Sequence, residues 1–121
     1  MTFAVVTGGG TSGHVIPAMS ICEALIDAGH NAADVKYVGT IRGVETSLMA
    51  DSPVESLFLP ISGLQRSFSA RGILRNVALP WRLLRSRLVA RRFLSKWSPK
   101  VVVSVGGYAS EPMSRAAIAA G

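Results

Sequence analysis

Apolar positions fall along the chain in two alternating rhythms, short unbroken runs and longer stretches of helical period. Phe3-Ala-Val-Val-Thr7 is a β-branched run ending in a glycine cluster, the pattern of a buried parallel strand that enters a tight turn. Val15 to Ala28 has helical spacing through Ile16, Met19, Ala24 and Ile26, with Pro17 tolerated in the first turn and Gly29 as the stop. Val35 to Val38 predicts a second strand ending at Gly39-Thr40, Val44 to Ala50 a short helix, and Val54 to Leu59 a third strand closed by Pro60. Residues 61–72 read as a Ser-, Gly- and Arg-bearing loop. Ile73 to Trp97 reads as a helix interrupted near Pro80, which cannot supply an interior amide donor. Val101 to Val105 is the clearest strand, read as buried; a second glycine turn and a small-residue helix from Pro112 to Ala120 follow it.

Strands alternating with helices at this spacing imply an α/β fold, a Rossmann-like parallel sheet with helices on both faces, because each crossover must return the chain to the same strand direction. In such sheets ligands sit beyond the carboxyl ends of the strands, where both glycine turns fall. The 121 residues suit one domain, residues 1–121, and the 49% apolar fraction supplies a core that disordered chains lack. Cys22 is the only cysteine, which excludes an internal disulfide and a C-x-x-C site and fits a reducing compartment. Residues 1–10 lack the basic and apolar regions of a signal peptide, and no run reaches the ~18 apolar residues that a membrane span needs.

Charge is divided unevenly. Ten Lys or Arg and no acid lie between Ser56 and Ser110, a block that points to a polyanion such as phospholipid headgroups, nucleic acid or a phosphorylated substrate. No helix-turn-helix or RNA-binding signature is present and the few aromatics are not interleaved with the cations, so nucleic acid is not an expected partner.

Gly8-Gly9-Gly10-Thr11-Ser12-Gly13 satisfies G-x-G-x-x-G at a strand-to-helix junction, where glycine lets backbone approach a pyrophosphate and the helix start offers amide donors. The same hexad would also serve as a tight turn without ligand. A dinucleotide site wants an acid at the end of the second strand, about 20 residues beyond the glycines. None is there: the strand ends Tyr37-Val38-Gly39-Thr40, and only Arg42 keeps an NADP-binding oxidoreductase as the alternative. His14, directly after the loop, could donate to a phosphate oxygen, transfer a proton, or simply cap the helix. Gly106-Gly107-Tyr108-Ala109-Ser110 repeats the design, and two such loops on one sheet suggest a ligand with a diphosphate or several polar groups.

These residues resemble a known family. Gly9-Gly10-Thr11-Ser12-Gly13-His14-Val15-Ile16-Pro17-Ala18 is similar to the first glycine loop of MurG glycosyltransferases, usually GGTGGH followed by an apolar pair and proline. Gly39-Thr40, Gly43 and Glu45 look like the family's G-T-x-x-G-x-E stretch, Ile61-Ser62-Gly63-Leu64 its I-x-G-L segment, and Val102 to Ser110 its second glycine loop. The resemblance implies the amino-terminal, acceptor-binding domain of a GT-B glycosyltransferase that works without metal or cofactor. It further implies transfer of N-acetylglucosamine from UDP-N-acetylglucosamine to undecaprenyl-pyrophosphoryl-MurNAc-pentapeptide. By residue, it implies donor contacts at Thr11, Ser12 and Gly13, an acceptor diphosphate near Gly9, Gly10, His14, Gly106, Gly107, Tyr108 and Ser110, and His14 as the catalytic candidate. Ser12 and Glu111 depart from the pattern, the latter placing a negative charge beside an expected anion site. The chain ends at Gly121, before the family's H-E-Q-N segment and donor domain, so these residues alone are expected to be inactive.

At about 100° per residue, Trp81, Leu84 and Leu88 share one face of the long helix, and Leu83, Ala90, Phe93, Leu94 and Trp97 share another. Arg85, Arg91 and Arg92, with Arg87, flank the tryptophan face, the composition of an interfacial membrane patch; its alternative is a solvated basic helix. The resemblance implies peripheral docking on the cytoplasmic face of the bacterial membrane, where the acceptor's tail resides.

Overall fold

The structure is a computed structural model that describes residues 2–10, 12–41, 45–50, 52–59, 70–107 and 110–120, with backbone alone at 12, 70–79 and 82. The elements are β1 (Ala4–Thr7), α1 (Ser12–Asp27), β2 (Val35–Thr40), α2 (Glu45–Leu48), β3 (Glu55–Leu59), α3 (Ala70–Trp97), β4 (Val101–Ser104) and α4 (Glu111–Ala120). A single turn of 3-10 helix, Ala32–Asp34, leads into β2.

The four strands are parallel and ordered β3-β2-β1-β4. Successive strand side chains point to opposite faces, so each strand feeds two cores. Val5 and Val38 pack with Leu59 against Ala90 and Leu94 of α3 and Met113 and Ala116 of α4. Val6, Val35 and Tyr37 pack on the other face against Ala18 and Cys22 of α1 and Met49, just past α2. Helices therefore cover both faces, as the alternating pattern predicts. Val15, Ala18 and Cys22 are the side chains that α1 buries, whereas Ile16 is 55% exposed.

Two expectations change. The long helix is not interrupted at Pro80: it runs unbroken from Ala70 to Trp97. Pro80 is exposed and deprives the helix of one donor, a local cost of about 3 kcal/mol. The turns after it are held to the sheet by Leu83, Val89, Ala90, Leu94 and Trp97, so tertiary packing overrides the local penalty. Val101 to Ser104 is not buried as its apolar run predicts. Among the described residues β4 pairs with β1 alone, and as an edge strand it shows an exposed, half-buried, half-buried, exposed pattern. No helix of the described residues is long and apolar enough to cross a membrane.

Candidate functional site

The strand order reverses direction between β1 and β4: from β1 the chain winds outward to β2 and β3, then returns to the other side. The two glycine turns leave the carboxyl ends of those two adjacent strands. α1 passes to one face and α4 to the other, and their starts flank the switch point, where ligands of doubly wound sheets bind.

The turns touch. Gly106 and Gly107 have φ of 99° and 82°, and a Cβ at Gly107 would lie 2.5 Å from the Gly9 carbonyl oxygen and 3.2 Å from His14 Nδ1. Only glycine meets both demands, positive φ and close approach. A Cβ at Gly106 would lie 3.4 Å from His14 Cδ2, so the imidazole at the start of α1 lies over the glycines of the second turn. Ser110 closes that turn from the other side, its amide and hydroxyl both donating to the Gly107 carbonyl at 3.2 and 2.9 Å. The fold thus brings together Gly9, Gly10, His14, Gly106, Gly107 and Ser110. Gly13 is exposed in the first turn of α1. Thr11 and Tyr108 lie outside the described residues, as do Arg42, Gly43 and residues 61–64, and the Ser12 side chain is likewise undescribed.

A residue that the sequence placed in a motif without a role organises the first turn. Glu45 opens α2 and is fully buried. Its Oε1 accepts the Thr40 amide at 2.6 Å, and both its oxygens accept the Gly10 amide at 3.2 Å. A buried carboxylate is costly unless its oxygens are satisfied, and here backbone donors from two loops satisfy them. Tyr37 adds a second tie, its hydroxyl donating to the Gly8 carbonyl at 2.5 Å. Burial, then the neighbouring charge of Glu45, then Cys22 push the phenol well above its ordinary range, so it stays a donor. Two of the loop's amides are therefore turned inward: Gly10 to Glu45, and Gly8 to the Val38 carbonyl at 3.3 Å. Any part Gly10 has in holding a diphosphate runs through the shape of its turn, since its N–H is engaged within the fold. The sequence signal for Glu45 is the G-T-x-x-G-x-E spacing from Gly39 to Glu45.

The charge of Glu111, expected beside the second turn, is directed elsewhere. Arg87 of α3 donates through Nε at 3.0 Å and also through Nη2, and Arg115 lies 3.3 Å away one turn along α4. The hydrogen bond to Glu111 raises the Arg87 pKa. Arg87 is thereby drawn out of the basic fringe and ties α3 to the start of α4.

The face of α3 expected to meet a membrane is open: Trp81 is 74% exposed, with Leu84, Leu88, Arg85, Arg91 and Arg92 also exposed. The opposite face packs inward through Leu83, Ala90, Leu94 and Trp97. α4 adds Ile118, 80% exposed, which sequence reasoning missed because an apolar residue on a short small-residue helix reads as core. Leu84, Leu88 and Ile118, with Arg91 and Arg115, line a groove of ≈ 350 Å³ between α3 and α4. A larger hollow of ≈ 590 Å³ runs along the free edge at the amino end of β4, remote from the glycine turns; it follows from the absence of a strand beside β4 among the described residues. No group of three or more His, Cys, Asp or Glu among the described residues is placed to hold a metal ion.

Residues 4–121 match the model of the glycosyltransferase family 28 N-terminal domain, and the chain belongs to that family. It is 41% identical over 111 residues to a UDP-N-acetylglucosamine–N-acetylmuramyl-(pentapeptide) pyrophosphoryl-undecaprenol N-acetylglucosamine transferase of Anaeromyxobacter sp. (strain K), an alignment covering 90% of this chain and 27% of the relative. A protein of the same name from Lactiplantibacillus plantarum is 37% identical over 106 residues, 88% of this chain and 28% of the relative. The crystal structure of Acinetobacter baumannii MurG superimposes with a TM-score of 0.79 at 26% identity, covering all of this chain and 33% of that one. The fold is thus that of the Rossmann-like amino-terminal domain of a GT-B glycosyltransferase. The chain spans about a quarter of the length of the curated relatives it matches. The NADP-binding alternative finds no support in these relatives, and the carboxylate under the first turn opposes a dinucleotide's phosphates there.

Proposed function

We propose that the chain is the acceptor-binding half of an N-acetylglucosaminyltransferase that moves the sugar from UDP-N-acetylglucosamine to undecaprenyl-pyrophosphoryl-MurNAc-pentapeptide on the cytoplasmic face of the membrane. One observation carries the reading: both glycine turns lie side by side at the sheet's switch point with His14 between them. The relatives' names supply the chemistry. In this reading the diphosphate of the acceptor lies against Gly106, Gly107, Tyr108 and Ser110, with Gly9 and Gly10 shaping the opposing wall. The amide ends of α1 and α4 favour its negative charge. His14, at the meeting of the turns, is the catalytic candidate, positioned to take the proton of the attacking sugar hydroxyl or to donate to a phosphate oxygen. Thr11, Ser12 and Gly13, which follow the first glycines in the sequence, are the donor-side candidates.

A lipid-tethered acceptor requires the site to work near the bilayer. The Arg87–Glu111 pair joins the middle of α3 to the residue that opens α4. The exposed Trp81, Leu84 and Leu88 face with Arg85, Arg91 and Arg92 lies on the helix that this pair ties to α4, and can rest on anionic lipid while the second turn receives the headgroup. Each cation near such a surface contributes about 1 kcal/mol.

Titration of the ¹⁵N-labelled chain with a short-tailed, water-soluble form of the acceptor is expected to shift the amides of His14, Gly106 and Gly107, whereas NADPH leaves them unmoved. Micromolar NADPH binding with no response to the acceptor would overturn the reading.

A further inference from the structure

We propose that Glu45 is the positioning residue of the first glycine turn, and that its carboxylate takes the Gly10 amide from inside the fold, closing that donor to phosphate. Gly10 N–H points at both oxygens of the carboxylate, and the Thr40 amide completes the clasp from the end of β2. A backbone N–H of a glycine-rich turn directed at an oxyanion is the kind of donor that elsewhere receives a phosphate. Here the oxyanion belongs to the protein.

The surrounding sequence is fitted to that carboxylate. A Cβ at Gly9 would collide with Glu45 Oε1 and come within 2.8 Å of its Cδ; one at Gly39 would lie 2.9 Å from its Cγ and 2.7 Å from the Tyr37 hydroxyl. Two glycines on different strand ends thus make room for one side chain. A second anion at Gly10 would face the buried charge of the first with little water between them to screen it. A ligand's phosphates are therefore steered to the second turn and the start of α1. That last step rests on the proposed acceptor reading; the clasp itself does not.

Amide exchange and a titration with inorganic pyrophosphate, both on the ¹⁵N-labelled 121-residue chain, test it. In the wild type the Gly10 and Thr40 amides are expected to be protected from exchange, and pyrophosphate to leave their resonances in place. Glu45→Gln keeps the shape and an Oε1 that still accepts the Thr40 amide, but sets an NH2 donor at the Oε2 position against the Gly10 N–H. Gly10 exchange should rise about tenfold or more while Thr40, and Val6 and Val38 in the sheet, stay protected. In Glu45→Ala acetate, the size of the missing carboxylate, should restore part of the lost Gly10 and Thr40 protection in a saturable way. If Glu45→Ala fails to fold, Glu45→Gln decides the matter. Pyrophosphate that shifts Gly10 and Thr40 in the wild type, or unchanged Gly10 exchange in Glu45→Gln, overturns the proposal. Failure of the acceptor to bind would leave all of these outcomes as stated, so the two proposals fail separately.

Discussion

The two glycine turns look alike in sequence and are held in opposite ways. The first is fixed from within: a fully buried carboxylate takes Gly10 N–H, and a buried phenol donates to the Gly8 carbonyl. The second is fixed locally by Ser110 and from outside by Glu111, whose partner Arg87 is more than a third exposed. A buried, hydrogen-bonded charge is insensitive to salt and costly to disturb, whereas a solvent-facing ion pair is weak and screened. Of two turns in contact, one therefore resists its surroundings and the other responds to them.

The contrast is broken most severely by Glu45→Ala, which removes the acceptor of two inward-facing amides. We expect a loss of about 3 kcal/mol in urea unfolding, from the stranded donors and the cavity together. A loss near zero would mean that the vacated space refills at no cost. Tyr37→Phe is next, removing the donor to Gly8 at about 1–2 kcal/mol, seen as a lower midpoint with unchanged slope. A smaller effect depends on pH. Burial pushes the Cys22 thiol up to about 11 from its usual 9.0. The fold thus favours the protonated thiol, so this contribution is complete below pH 9 and is lost as pH rises toward 11. The urea midpoint should fall through that window, and less so in Cys22→Ala; an unchanged slope would contradict it.

Smallest in stability is Arg87→Ala, whose effect should shrink between 0.05 and about 0.5 M salt as screening grows, while that of Glu45→Ala does not. The sharpest comparison uses anionic vesicles. They should broaden the Gly106 and Gly107 amides and spare Gly10, and Trp81→Ala/Leu84→Ala should abolish flotation with the vesicles. Equal response of both turns would erase the distinction.

Much of this was legible in the sequence. The β-branched runs ending in glycine located β1 and β4 and placed both turns at the same end of a parallel sheet, because period and turn chemistry are local properties. What escaped depends on contacts between residues distant in the chain. The Glu45 to Gly10 hydrogen bonds span 35 positions, so the acid could be placed in a motif but not in a role. The charge of Glu111 read as a threat to anion binding because its partner lies 24 positions away on α3. Pro80 predicted a break that packing of the following turns overrides. Val101 to Ser104 read as buried because an apolar run records β-propensity and says nothing of whether a strand lies at an edge.

The room that Gly9 and Gly39 leave for Glu45 also fixes the order in which mutations can accumulate. Ala at position 9 collides with the carboxylate while Glu45 remains, yet becomes far milder once residue 45 has been shortened. The double variant should then be less damaged than the sum of its parts. Gly39 is not released with them, because a Cβ there still lies 2.7 Å from the Tyr37 hydroxyl. Positions 9 and 45 thus change as one heritable pair, and 37 and 39 as another.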